Sequence, residues 1–79
     1  MEIAYSKKAI KHIQQMDSNV KNRIKNAIDK LPLGDIKKLK GFTNIYRIRV
    51  GDYRILYELE DETITILDVL PRGAAYKDL

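Results

Sequence analysis

A chain of 79 residues with a formal net charge of +4 and no cysteine has room for one modest core, because a domain this small buries only about 60% of its unfolded surface. Residues 1–79 therefore read as a single domain, and neither a large cofactor nor a second substrate domain is expected. Without cysteine there is neither a disulfide framework nor a thiolate metal site, in keeping with a reducing cytoplasm. The first residues lack the apolar centre of a secretion signal, and no apolar run approaches the roughly 18 residues of a membrane span. A soluble, cytoplasmic protein with no membrane partner is expected. The positive charge is unevenly built: nine of the ten lysines precede residue 41, whereas four of the five arginines fall between 47 and 72. Arginine offers a rigid fork of donors suited to phosphate, while lysine more often solubilises a helix face. The balance points to a polyanionic partner.

"EIAY" reads as a short first strand. Ser6 can cap a helix whose apolar residues Ala9, Ile10, Ile13 and Met16 recur at helical spacing. Asp17, Ser18 and Asn19 break that helix and supply caps for a second, in which Val20, Ile24, Ala27, Ile28 and Leu31 keep to one face. The second helix should end at or just before Pro32, and "IKKLKGF" follows as a lysine-rich connection, partly helical around Ile36 and Leu39. From Asn44 the period changes to two. Tyr46, Ile48 and Val50 alternate with Ile45, Arg47 and Arg49; after Gly51-Asp52, Tyr53, Ile55, Tyr57 and Leu59 alternate with Arg54, Leu56 and Glu58. Gly-Asp suits a two-residue hairpin turn with glycine at positive φ, which fixes the register: 50 faces 53, 48 faces 55 and 46 faces 57.

That register gathers the apolar and aromatic residues on a face meant for the helices. On the other face it sets Arg49 opposite Arg54 and Arg47 opposite Leu56. Like charges directly opposed in an antiparallel pair are destabilising, so packing gives no reason to choose them, whereas a bound anion does. The structural alternative is a solvated outer face whose arginines pair with Glu58 and Glu60. A third strand of this run, "TITILDVL", follows a tight acidic turn at Asp61-Glu62. Strict alternation would turn Asp68 inward with Ile64 and Ile66, so a bulge or strand end is expected there. Pro71 stops the sheet, and Arg72 and Tyr76 lie four apart in a short tail.

His12 is the only histidine and reads as a helix-edge residue; a histidine pair for acid–base work or for zinc is excluded by count. The glycines form no phosphate-cradling loop and the carboxylates show no metal-pair spacing. Arginine, tyrosine and Glu58 remain. Such a set can cleave RNA without metal, because the ribose 2′-hydroxyl is an internal nucleophile. It needs in-line orientation, cations for the extra negative charge, and the movement of two protons. A tyrosine ionises near pKa ~10, but surrounding cations favour the phenolate, and Tyr76 beside Arg72, folded over Arg47, Arg49 and Arg54, would receive that help.

The run "KLKGFTNIYRIRVGDYRILYELEDETITILDVLPRGAAY" resembles the second half of the RelE/ParE superfamily of bacterial and archaeal type II toxins: a KL-x-G segment, a Y-R/K-I-R/K hairpin strand, GDYR, a terminal strand and an R-x-x-x-Y-like tail. The preceding strand and helix pair match as well. The resemblance implies an α+β fold of order β-α-α-β-β-β, two N-terminal antiparallel helices packed on a small antiparallel sheet. It also implies metal- and cofactor-independent cleavage of mRNA in the ribosomal A site. Carried over by position, Arg54 and Arg72 stabilise the transition-state phosphate, and Arg47 and Arg49 stand where some relatives have lysines. Tyr76 is the preferred base or stacks on a codon base. Glu58 is the alternative base, since relatives such as YoeB use a glutamate with a histidine, a partner missing here. Arg47, Arg49, Tyr76, Lys38 and Lys40 would bind RNA. The expected partners are the ribosome, mRNA and a RelB-like antitoxin in a hetero-oligomer. A ParE-like inhibitor of DNA gyrase on the same scaffold, or a non-catalytic member that binds RNA or its antitoxin, are the alternatives.

Overall fold

In the computed structural model, which describes residues 2–31, 33–34 and 36–73, the chain runs β1 (Glu2–Tyr5), α1 (Lys7–Gln14), α2 (Ser18–Asp29), β2 (Ile36–Lys38), β3 (Ile45–Val50), β4 (Tyr53–Glu60) and β5 (Thr63–Pro71). The strands form one sheet in the order β1-β5-β4-β3-β2. Both helix starts are capped from the sequence side chains expected. Ser6 Oγ accepts from the Ala9 N–H at 3.0 Å, and an Asp17 carboxylate oxygen accepts from the Val20 N–H at 2.9 Å. The second helix ends earlier than Pro32, at Asp29, with Lys30 as its C-cap.

The α+β order holds, with two differences in the sheet. Residues 36–38 are not partly helical: they form an edge strand that pairs antiparallel with β3, Ile36 opposite Ile48, Lys37 opposite Arg47 and Lys38 opposite Tyr46. Pairing with β3 satisfies their backbone groups, and three residues are too few to nucleate a helix against that competition. The sheet is also not wholly antiparallel, because β1 lies parallel to β5 at the opposite edge.

The β3–β4 register is the one the Gly51-Asp52 turn dictates: Val50 opposite Tyr53, Ile48 opposite Ile55, Tyr46 opposite Tyr57, Arg49 opposite Arg54. Gly51 supplies the positive φ, at 56°. In the second hairpin Asp61 and Glu62 both take positive φ, as a tight two-residue turn between twisted strands requires. Ile48, Ile55, Tyr57, Ile64, Ile66 and Val69 form the sheet's share of the core against Ala9, Ile24 and Ile28 of the helices. The Tyr46 and Tyr57 rings stack with centroids 5.5 Å apart.

A bulge falls where the inward carboxylate demanded one. Leu56 pairs with Asp68 and Tyr57 with Ile66, which leaves Leu67 as the extra residue. Its carbonyl accepts from the Ser6 hydroxyl at 2.7 Å. Asp68, 5% exposed, accepts from its neighbour's Val69 N–H at 2.8 Å and from His12 Nδ1 at 2.6 Å, and Lys8 Nζ lies 3.4 Å from its second oxygen. The bulge thus converts a misplaced charge into a polar tie between β5 and α1. His12, expected as a plain helix-edge residue, is the main partner in that tie.

Candidate functional site

Alternation along β3 and β4 points Arg47, Arg49 and Arg54 away from the core, and each then meets a different environment. Arg49 is exposed and Arg54 half-buried. Arg47 is only 9% exposed; its stem and the neighbouring Leu56 fill the middle of the outer face. A fully solvated outer face is therefore not what forms. The turn brings Arg72 to the same place, because its backbone N–H donates to the Asp52 carbonyl at 2.6 Å. Arg49, Arg54 and Arg72, with Gly51 and Tyr53, line a pocket of about 250 Å³ at the hairpin tip. Among the described residues no carboxylate lines it. Three guanidinium groups around one small cavity make a ready site for a phosphate, which can accept bidentate bonds from more than one of them.

A second cavity of about 400 Å³ continues along the outer face, lined by Lys37, Lys38, Leu39, Lys40, Arg47, Arg49 and Arg54. Arg49 and Arg54 belong to both. Lys37 is a residue that sequence reasoning missed. Its place opposite Arg47 puts it on the cationic face; Lys38 pairs with Tyr46 yet also lines this cavity. Arg23 was missed too. Its Nη1 lies 3.6 Å from where a Cβ on Gly51 would stand, so the one arginine outside the 47–72 run reaches the same hairpin tip from α2. Nothing in its helical spacing signals that approach.

Glu58 is not brought to the tip. It pairs with Ile45 and Thr65, four residues along β4 from Arg54, a separation of about 13 Å at strand rise. It is instead the diagonal neighbour of Arg47, a distance of about 7–8 Å between backbones. Tyr76 lies outside the described residues. Tyr57 and Tyr5 hold their protons: burial pushes both phenols above the ordinary tyrosine value, reinforced by Tyr46 for the first and by Asp29 for the second. Tyr53 packs against the core as its alternation predicts and, half-buried, also lines the arginine pocket, which alternation alone does not show. Among the described residues no three His, Cys, Asp or Glu side chains gather as metal ligands, and no helix is long and apolar enough to cross a membrane.

Comparison with known proteins places this geometry in context. The sequence model of the family described as "ParE toxin of type II toxin-antitoxin system, parDE" matches residues 3–76. The chain is 38% identical to "Toxin RelE3" of Methanocaldococcus jannaschii over 96% of both chains. Its fold is similar to that in the RelB-RelE antitoxin-toxin complex from Methanococcus jannaschii, with a TM-score of 0.73 and 37% identity, covering 86% of this chain and 88% of that one. It is likewise similar to the archaeal RelE-RelB complex from Pyrococcus horikoshii, with a TM-score of 0.75 and 29% identity over 94% of this chain and 97% of that one.

Proposed function

Since the chain belongs to the ParE toxin family of type II toxin–antitoxin systems, we propose that it is a RelE-like endonuclease that cleaves mRNA in the ribosomal A site and is neutralised by a RelB-like antitoxin. The observation that carries this reading is the convergence of Arg49, Arg54 and Arg72 on one small pocket. In the proposed reaction the 2′-oxygen forms a bond to the adjacent phosphorus as the bond from phosphorus to the 5′-oxygen breaks, leaving a 2′,3′-cyclic phosphate and a 5′-hydroxyl. One proton leaves the 2′-hydroxyl and one is delivered to the departing oxygen. Arg54 and Arg72 are assigned to the extra negative charge of the transition state, with Arg49 opposite Arg54 holding the phosphate in line.

Guanidinium groups donate but do not accept protons, so the base must be another group. Tyr76 keeps that assignment, or a stacking role on a codon base; Glu58, beside Arg47 rather than at the tip, is the alternative. Arg47, Lys38 and Lys40, now joined by Lys37 and Arg23, are assigned to the RNA backbone. The nucleophile is part of the substrate, so the scheme calls for neither metal nor cofactor. The relatives solved as RelB-RelE complexes support a toxin–antitoxin hetero-oligomer for this chain, and a ribosomal target places it in the cytoplasm. The family description names parDE, which favours one second reading, inhibition of DNA gyrase by binding.

Incubating the protein with translating ribosomes and mapping mRNA 5′ ends, beside a gyrase supercoiling assay, separates the two. Cleavage confined to the A site with supercoiling intact is the expected result. Blocked supercoiling without cleavage would replace the nuclease by the gyrase reading, and cleavage of naked RNA at comparable speed would remove the ribosome from the scheme.

A further inference from the structure

We propose that a second cavity, on the helix side of the hairpin tip, receives the unpaired base of the nucleotide whose phosphate lies among Arg49, Arg54 and Arg72. This rests on the reading above that the arginine pocket holds RNA phosphate. The cavity, about 620 Å³, lies where the end of α1 and the start of α2 meet the start of β4 and the end of β5; His12, Gln15, Met16, Val20, Tyr53 and Pro71 are among its lining residues.

Tyr53 lines both cavities. It pairs with Pro71, the residue just before Arg72, so the arginine pocket and this one open from the same end of the sheet and share one aromatic wall. A nucleotide bridging them would pass Tyr53, the residue common to both linings.

The chemistry of the two cavities is complementary in the way a nucleotide is divided. One is walled by guanidinium groups. The other is walled by Tyr53, Met16, Val20 and Pro71, with Gln15 and His12 as polar edge groups, and Asp17 also lines it. A carboxylate there disfavours a second phosphate and suits the uncharged base. Flat heteroaromatic rings are held by stacking on aromatic and apolar side chains while amide and imidazole groups read their edges. The Gln15 amide offers both a donor and an acceptor. His12 is oriented, because the buried Asp68 carboxylate takes its Nδ1 at 2.6 Å, which leaves Nε2 as the ring nitrogen for a ligand. The dyad is thus a positioning device for the reading edge, and the cavity determines base preference at the cleavage site.

The test uses the whole chain, with inorganic phosphate and the four nucleoside 3′-monophosphates as probes, followed by backbone amide shifts and equilibrium titration. Phosphate is expected to shift Arg49, Gly51, Tyr53, Arg54 and Arg72 alone. The nucleotides should shift Gln15 and Met16 as well, and bind tighter than phosphate by about fivefold or more, the range one stacked base supplies, with one base preferred. Gln15→Ala should erase that preference while leaving phosphate affinity unchanged; Tyr53→Leu should remove the fivefold gain over phosphate measured on the same variant, and Tyr53→Phe should keep it. If the nucleotides bind no tighter than phosphate and shift only the arginines, the base cavity is wrong and the reading of the arginine pocket survives. If phosphate itself leaves the arginines unshifted, both readings are overturned. An unaltered base preference in Gln15→Ala would also overturn the proposal.

Discussion

The two faces of the β3–β4 hairpin are made by the same strands, one residue out of step, and they do opposite work. On the helix side Ile48, Ile55 and Tyr57 are buried to 2% exposure or less, and each contributes by removing apolar surface from water. On the outer side Arg49 opposes Arg54 with Arg72 brought beside them, a grouping that adds repulsion to the fold and makes sense for an anion. Alternation lets one hairpin separate stability from chemistry. The faces are not pure, however: Leu56 at 1% and Arg47 at 9% exposure show that the centre of the outer face is packed, and the three-arginine pocket lies at the tip.

Substitutions on one face should then leave the other's property nearly untouched. The largest effect expected is on the core side. Ile55→Ala, at a position with 0% exposure, should cost about 2–5 kcal/mol in chemical denaturation, with cleavage by the folded fraction unchanged. Arg54→Ala or Arg72→Ala should lower the cleavage rate about a hundredfold or more, comparable to losing one transition-state donor. A large loss of stability in Arg72→Ala, which is exposed, would blur the division. Lys37→Ala should weaken RNA binding uniformly across sequences and reduce the salt slope by about 1; no change in slope would take Lys37 off the RNA path. Smallest of all, Arg49→Thr should stabilise the free protein by some tenths of a kcal/mol, by relieving the opposed charges, while lowering affinity for phosphate. If Arg49→Thr destabilises the protein, the arginine is serving the fold rather than a ligand.

Much of this was legible in residues close along the chain. Gly51-Asp52 set the hairpin register, and with it the Arg49/Arg54 opposition, because a two-residue turn leaves no freedom to slip. Asp68 announced the bulge, since a carboxylate cannot continue an apolar alternation into the core. What could not be read depended on distant partners. Residues 36–38 become a strand only because β3 offers an edge, and Lys37 acquires its face from that pairing. The tie between His12 and Asp68 joins residues 56 apart. Tyr53 packs against the core as its alternation predicts but also lines the arginine pocket, and Arg23 looked like a solvated-helix residue until α2 met the hairpin tip.

Side-chain direction along a strand or helix is a local property, set by backbone periods of 2.0 and 3.6, and so the cationic alternation, the caps and the turns follow from short stretches of sequence. Adjacency is not local. Which strand edge receives residues 36–38, that Arg72 returns to Asp52, and that the arginine pocket shares Tyr53 with a second cavity were settled when the apolar faces of strands β2 to β5 and the two helices found their common core, because burial rewards the area covered and is indifferent to the polar neighbours it brings together.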